Sequence, residues 1–494
     1  MSAHTPAWHA VPDAVGVAGQ WRPADLRGLP ATLRYGASIS GVALAAARGR
    51  PQKVLLVDDL GPMRGTELEG AIDSIAAAVA AAVRQGARRE IGVCAAGHRG
   101  LLAGVTATGA LGLESALVPA SAGTEVLTAA LAGVDVVLVD DTTVEAVRAV
   151  APHARVLDLI TLAGRSPGRS LRSVPRPRRT GNVRLLTSGT TGAPKATERG
   201  GAALGQLATV LSLMRALELH RDESVVIAPP LSHGHGLSVL TAALVVGAPA
   251  VLGHGRDGIG LVDLVHAHAA GVLAVVPAQL VMVLDALEAE AAEGAPDPGI
   301  VALRRIATGS APLEGELVER TRRLLGDRLV DFYGSSESGT ATIATPEDLR
   351  AAPGTVGRPA AGVRVEIVDE DGEPVPAGVV GHVRVTSPWH ADSEAERVAL
   401  GDLGHLDEQG RLFIDGRADQ IVVVGGHNVS LTRVREWFAR QPGVSSAVVH
   451  VCEHAELGHE LSVEVTGEAD PAELRARART ELGSAAAPRR VRRA

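Results

Sequence analysis

The clearest chemistry in the chain sits in one short string, Thr187-Ser188-Gly189-Thr190-Thr191-Gly192-Ala193-Pro194-Lys195, directly after the strand-like run NVRLL. Two glycines among hydroxyl residues let backbone N–H groups turn toward an anion. The hydroxyls add donors, and the lysine supplies a compact positive charge. Lysine is nearly absent elsewhere: of 48 basic residues only Lys53 and Lys195 are lysines. The spacing is not that of a Walker A loop, in which the lysine directly follows the second of two spaced glycines. The bland alternative is a polar turn with an incidental lysine. A second stretch, Pro230-Leu-Ser-His-Gly-His-Gly-Leu237, sets His233 beside glycines at a strand end. There it is either a polar functional group or a turn histidine.

Such residues need a scaffold, and the chain has material for one. At roughly 150 residues per domain, 494 residues make about three globular units. From about 50 to 160, short apolar runs alternate with alanine-rich helical ones: KVLLVDD (53–59), EIGVCAA (90–96), SALVPA (115–120) and VDVVLVDD (134–141), with helices expected at 72–85, 98–113 and 124–132. Apolar runs bounded by Asp or Gly and spaced by helices read as buried parallel strands with their crossovers. The Pro/Arg/Ser stretch 165–181 reads as an exposed loop. A second set follows, with strands at 182–189, 224–230, 248–253, 272–278, 303–308 and 328–333 and helices at 201–218, 236–246, 261–269 and 313–325. After 353 the pattern changes to short alternating strands with tight turns, an antiparallel, barrel-like piece. From about 418 a hairpin, helix, two strands and a final helix make a small α+β unit, and the last six residues read as a solvated basic tail.

Composition narrows the function. The formal charge of −8 is spread along the chain, with no concentrated basic face of the kind nucleic-acid proteins carry. Only Cys94 and Cys452 are present, too few for a disulfide framework or metal knuckle, so a reducing, cytoplasmic location is expected. The opening MSAHTPAWHAV lacks a signal-peptide pattern, and no apolar run reaches the roughly 20 residues of a membrane span.

The phosphate loop resembles, almost residue for residue, that of the adenylate-forming superfamily: acyl- and aryl-CoA ligases, peptide-synthetase adenylation domains and luciferases. Further stretches are similar in the family's order. The position matching His233 lies beside acyl substrate and AMP, and His235 falls where relatives line the substrate pocket. Ala307-Thr-Gly-Ser-Ala-Pro-Leu313 resembles the turn bordering the adenine pocket, which implies Gly309, Ser310 and Ala311 there. Asp331-Phe-Tyr-Gly-Ser-Ser-Glu337 resembles Tyr-Gly-x-Thr-Glu. The resemblance implies Tyr333 stacked on adenine with Gly334 alongside, Ser336 on phosphate or carboxylate, and Glu337 on Mg²⁺ with Thr190. The chemistry agrees, because a flat π-face suits a purine and a hard carboxylate oxygen suits Mg²⁺ shared with phosphate. Gly401-Asp402-Leu-Gly404 resembles the ribose-binding aspartate. Gly416-Arg417-Ala-Asp419 resembles the junction to a mobile lid, with Arg417 on ribose or phosphate and Asp419 as the hinge. Ser338 and the helix 201–218 are further candidate linings of the substrate pocket. The implied fold is α/β: a large AMP-binding domain, 1–416, of two αβαβα-type subdomains (about 1–165 and 181–350) plus a small β-barrel (353–416), then a small α+β C-terminal lid, 417–494.

The lid departs from the pattern. Relatives carry a lid lysine in a Pro-x-x-x-x-Gly-Lys context that bridges the substrate carboxylate and the α-phosphate. Here the sequence closes at LGSAAAPRRVRRA without that Gly-Lys segment, and Leu431, Arg433 and Arg435 replace a usual proline and two acidic residues. A shortened chain, a substituting tail arginine (Arg489, Arg490, Arg492 or Arg493), or a reaction that dispenses with the lysine are the open explanations. A lost transition-state charge contact costs about 3–4 kcal/mol, which slows adenylation without abolishing it. The expected activity is ATP-dependent adenylation of a small organic acid, with Lys195, His233 and Glu337 as catalytic groups, ATP and Mg²⁺ as cofactors, and coenzyme A or a carrier protein as acceptor. Nucleic acid and a membrane span are not expected. Two alternatives stand beside it: adenylation of a non-carboxylic acid such as nitrite to diazotise an aryl amine, and a catalytically weakened nucleotide-binding protein.

Overall fold

The computed structural model describes residues 2–10, 16, 19–36, 38–84, 90–164, 170–171, 181, 183–187, 195–198, 203–292, 300, 302–335, 338–388, 398–418, 421–424, 427–454, 458–483 and 486–493. The chain is α/β and divides into two compact units: His4–Arg364 with Thr386–Val398, and Met1–Ala3 with Val365–Val385 and Ala399–Ala494.

The larger unit carries two sheets. Its strands, in chain order, are β1 (Val54–Asp58), β2 (Gly61–Arg64), β3 (Glu90–Ala95), β4 (Glu114–Pro119), β5 (Val136–Val139), β6 (Arg155–Asp158), β7 (Val183–Thr187), β8 (Lys195–Glu198), β9 (Val225–Ile227), β10 (Ala250–Leu252), β11 (Val272–Ala274), β12 (Arg305–Gly309), β13 (Leu329–Ser335), β14 (Gly339–Ala344) and β15 (Thr355–Pro359). One sheet runs β6-β5-β3-β4-β7-β8. It is parallel throughout except for β8, which turns back against β7. The other runs β15-β14-β13-β12-β11-β9-β10-β1-β2, with a parallel centre and antiparallel edges. β5 and β9 are buried at every position, as parallel strands covered on both faces are.

Each sheet takes strands from distant parts of the chain. β1 pairs on one side with its sequence neighbour β2 and on the other with the distant β10, Leu56 opposite Ala250. β7 joins β4, Ser115 opposite Val183. Apolar pattern alone marks these runs as strands; it does not say which sheet completes them.

Among the helices are α1 (Gly65–Arg84), α2 (Arg99–Ala110), α3 (Ala203–Ala216), α4 (Gly234–Val246), α5 (Gly258–Ala267), α6 (Pro277–Ala292) and α7 (Gly315–Leu325). α1 starts at Gly65, ahead of the expected 72, and α6 was not expected at all. The core of the second sheet joins Val226, Leu273 and Ile306 to Leu261, Val265, Leu280, Leu284 and Leu287 of α5 and α6. Among the described residues no helix is long and apolar enough to cross a membrane.

The smaller unit contains all of Leu412–Arg417 and all but a terminal residue of Arg364–Val368, Gly381–Thr386 and Val398–Leu406, successive neighbours in a sheet. It also holds a five-stranded sheet backed by helices Leu431–Ala439 and Pro471–Glu481. Val434, Phe438, Leu461, Val463, Leu474 and Ala478 form its core. The expected solvated tail is in part a strand: Arg490–Arg493 lies parallel to Gly458–Gly467, with Val463 opposite Val491. The arginine side chains stay at the surface while backbone pairing and Val491, packed on the core, hold the segment. The expected loop 165–181 falls almost wholly outside the described residues.

Candidate functional site

Where β9 ends, the chain turns through Ala228-Pro229-Pro230 and enters α4. His233 is the residue before the first helical turn, extended at φ −108° and ψ 152°. Its backbone N–H donates to the Pro230 carbonyl at 3.0 Å. Partial desolvation first, and His254 second, hold its ring below the usual histidine range, although the residue keeps an exposed edge. α4 can start this close to the loop because residue 236 is glycine: a Cβ there would stand 2.7 Å from the carbonyl oxygens of both Pro229 and Pro230. That close approach fixes the direction of the first turn, and hence of His235.

The His235 ring meets the Phe332 ring edge-on, with centroids 5.9 Å apart and planes at 77°. Both of its ring nitrogens are out of solvent and have no hydrogen-bond partner among the described residues. Burial pushes its pKa down to about 4, so the imidazole is neutral at physiological pH.

The opposite wall comes from β12 and β13, parallel with Gly309 opposite Phe332. Ser310, just past β12, holds φ at +68°, a left-handed conformation that costs a non-glycine residue on the order of 1 kcal/mol. β13 and β14 lose register between Tyr333 and Gly334. There the strands approach so closely that a Cβ on Gly334 would collide with the Gly339 carbonyl oxygen. Such irregularities commonly re-aim side chains beside active sites.

Together these elements line one cleft of about 230 Å³. Its walls include Leu213 of α3, His233, His235, Val239, Ser310, Phe332, Tyr333, Gly334 and Ser335. Ala311 is exposed and Gly309 buried beside it, and neither stands among the lining residues. Ser338 does not line the cleft either. It is fully buried, accepting from the Ser335 N–H at 3.0 Å while its own N–H donates to Ser335 Oγ at 3.1 Å. Its carbonyl accepts from Ser387 Oγ at 2.6 Å. Its place in the structure is a staple of the β13–β14 turn.

One residue beneath the cleft escaped assignment from sequence. Asp331 is buried in β13, its Oδ1 has no partner among the described residues, and burial raises its carboxyl to about 7. Its register partner Thr308 also holds a buried hydroxyl with no partner among the described residues. The available signal was its position two residues before Tyr333, on the same face of the strand.

Thr187 closes β7 and Lys195 opens β8, and the two stand opposite each other in the antiparallel pair. The ends of the phosphate loop are therefore held together. Ser188, Gly189, Thr190, Thr191 and Gly192 lie outside the described residues, as do Ser336, Glu337 and Asp419. Both residues assigned to Mg²⁺, Thr190 and Glu337, thus fall outside, and among the described residues no three metal-ligating side chains cluster. In the smaller unit, Asp402 and Arg417 stand opposite each other on antiparallel strands, with Arg417 Nη1 3.4 Å from Asp402 Oδ1.

A second polar cluster lies in the first sheet. Asp140, at the end of β5, accepts from the Ala96 N–H at 2.6 Å, His98 Nε2 at 3.0 Å, the Thr142 hydroxyl at 2.7 Å and the Thr143 N–H at 3.1 Å. Burial alone would raise its carboxyl. The bonds from His98, Thr142, Ala96 and Thr143 outweigh that and hold it well below the usual range. His98 Nδ1 in turn accepts from the Gly100 N–H at 3.0 Å, capping α2.

A family model described as AMP-binding enzyme matches residues 44–392. An indoleacetate–CoA ligase of Aromatoleum aromaticum is 31% identical over 303 residues, covering 57% of this chain and 57% of that one. The chain spans less than two thirds of the length of this curated relative. Among solved structures, an amide bond synthetase from Marinactinospora thermotolerans superposes with a TM-score of 0.77 at 24% identity, covering 92% of this chain and 96% of that one. An o-succinylbenzoate CoA synthetase from Bacillus subtilis, in complex with its acyl-adenylate, gives 0.78 at 20% identity over 92% and 94%. At these identities the likeness establishes a shared fold.

Proposed function

The chain belongs to the AMP-binding enzyme family of the adenylate-forming superfamily, and from that premise we propose that it activates a small organic acid with ATP. An acid oxygen attacks the α-phosphorus, the bond to the β-phosphate oxygen breaks, and pyrophosphate leaves. An acceptor nucleophile then attacks the acyl carbon of the adenylate, loses its proton to solvent, and AMP leaves. The acceptor is the thiol of coenzyme A or of a carrier protein.

The observation that carries this reading is the single cleft in which Tyr333 and Ser310 border the same space as His233 and His235. It offers one wall to a purine nucleotide and another to an acid. Catalysis in such a site is positioning plus charge neutralisation. Thr187–Lys195 would hold the phosphates, Lys195 as a point charge. Tyr333 would hold the adenine, and His233 the junction with the acid. Mg²⁺, for which the hard carboxylate of Glu337 and the Thr190 hydroxyl are suitable donors, would supply charge neutralisation on the phosphates.

The test is release of AMP and pyrophosphate from Mg·ATP across a panel of carboxylic acids with coenzyme A, and separately with nitrite plus an aminoaryl acid. Acid-dependent release of both products is expected with a carboxylic acid. Release with nitrite alone would reassign the acid, and no release on any panel would leave a nucleotide-binding protein without the activity.

A further inference from the structure

We propose that Ser338 and Ser387 are positioning residues: their buried hydroxyls hold one wall of the cleft, Gly334–Ser335 with Gly339–Thr340, in the geometry that lets the acid oxygen reach the α-phosphorus. This rests on the adenylation reading for the reaction in the cleft, and on three features of the structure.

The first is the softness of that wall. Gly334, Ser335, Gly339 and Thr340 of the β13–β14 hairpin line the cleft beyond the register shift. Two of the four are glycines, which are conformationally permissive, and Gly339 stands at φ +66°. Past the shift only two residue pairs remain before the turn, Gly334 with Thr340 and Ser335 with Gly339, so the ladder alone gives this segment little stiffness. The second is how hydroxyls make up the deficit. The Ser335 N–H donates to Ser338 Oγ at 3.0 Å and the Ser338 N–H to Ser335 Oγ at 3.1 Å, a reciprocal pair. Ser338 Oγ donates its own proton to the Gly339 carbonyl at 3.1 Å. That leaves the Ser335 hydroxyl as donor across the 3.2 Å between the two oxygens, so both hydroxyl protons are committed.

The third is a tie from far along the chain. Ser387 is buried, and its Oγ donates to the Ser338 carbonyl at 2.6 Å across 49 residues of sequence. The carbonyl of the next residue, Pro388, accepts from Gln206 Nε2 at 3.4 Å. Gln206 belongs to α3, the helix that gives Leu213 to the cleft, so this short segment joins the hairpin wall to the helix wall. Neither Ser338 nor Ser387 lines the cleft, and their effect passes through Gly334 and Ser335. Group transfer tolerates little error of position: a shift of about 1 Å can cost on the order of a hundredfold in rate. Groups at a site keep their geometry only where a supporting layer fixes it.

The experiment uses the full chain. Exchange of labelled pyrophosphate into ATP reads kcat, calorimetry reads affinity for adenosine and for Mg·ATP, and thermal melts read the folded fraction. Ser338→Ala and Ser387→Ala are each expected to lower kcat by about tenfold or more, with affinity for adenosine within about threefold of wild type and the protein folded at the assay temperature. Combined, they should cost no more than about twice the larger single effect, because both release the same wall. Ser387→Thr, which keeps the hydroxyl, should recover most of the rate. Should an alanine variant fail to fold, Ser387→Cys, similar in shape but only a weak donor, carries the same comparison. The proposal is overturned if both alanine variants keep kcat within about twofold of wild type, if rate is lost only in proportion to the unfolded fraction, or if the two effects multiply. Absence of exchange from wild-type protein that binds Mg·ATP would sink the adenylation reading alone. The wall is then read from binding: Ser387→Ala weakening Mg·ATP about tenfold more than adenosine upholds its role, and equal changes for the two ligands overturn it.

Discussion

Two histidines near the starts of helices in the larger unit are treated in opposite ways. His98 follows β3 and caps α2; His235 follows β9 and sits in the first turn of α4. Both lie where a parallel strand gives way to a helix, the edge at which open α/β sheets commonly bind ligands. Yet His98 spends one nitrogen on Asp140 and the other on the Gly100 N–H, while neither nitrogen of His235 has a partner among the described residues. Topology alone would nominate both. The state of the hydrogen bonds separates them: among the described residues the first ring is tied into a polar cluster and the second is held by packing.

Substitutions on the two sides should therefore fail in different assays. Lys195→Ala, on the ligand-binding side, is expected to cut pyrophosphate release by about a hundred- to a thousandfold with little change in melting temperature. Unchanged turnover would remove the phosphate role from Lys195. Asp140→Ala should do the reverse, destabilising the fold by on the order of 3 kcal/mol because it strands the His98, Ala96, Thr142 and Thr143 donors. Urea midpoints measure this, and acid preference should not move.

The two buried carboxylates should respond oppositely to pH. Asp331 has its folded pKa raised to about 7. Its stabilising contribution is thus complete in acid, below the unfolded carboxylate range, and is lost as pH rises through 7. Asp331→Asn should accordingly stabilise the apo protein at pH 8 by about 1–3 kcal/mol and change little at pH 4. Asp140 is held low. Its contribution is present at neutral pH and lost as pH falls below the ordinary carboxylate range, so the penalty of Asp140→Asn should shrink in acid. Parallel slopes for the two variants would break the comparison. The smallest effect is expected at His235→Leu, whose stability should shift by less than about 1 kcal/mol, and upward, because an unpaired polar ring is replaced by an apolar group.

Much of the scaffold was legible in the sequence because buried parallel strands leave a local signature. EIGVCAA became β3 and VDVVLVDD contained β5. Strand partners were not legible, because pairing β1 with β10 or β7 with β4 is a decision of tertiary structure. β2 and β8 were missed for a related reason: each is a short antiparallel return whose sequence, GPMR or KATE, lacks an apolar run. In the site, the glycine-rich loop and Tyr333 stood out by residue type and order. Asp140 reads locally as the polar end of a strand, and its partner His98 lies 42 residues earlier. Ser338 was named as a candidate pocket lining, whereas folding turns its hydroxyl back onto Ser335.

The most direct trial of the central claim is exchange of labelled pyrophosphate into ATP, which reports reversible adenylate formation whatever the acceptor. With Mg·ATP and a panel of small carboxylic acids, label is expected to enter ATP only when an acid is present, and far more slowly in Lys195→Ala. Absence of exchange with every acid tried, from protein that still binds the nucleotide, would contradict the account.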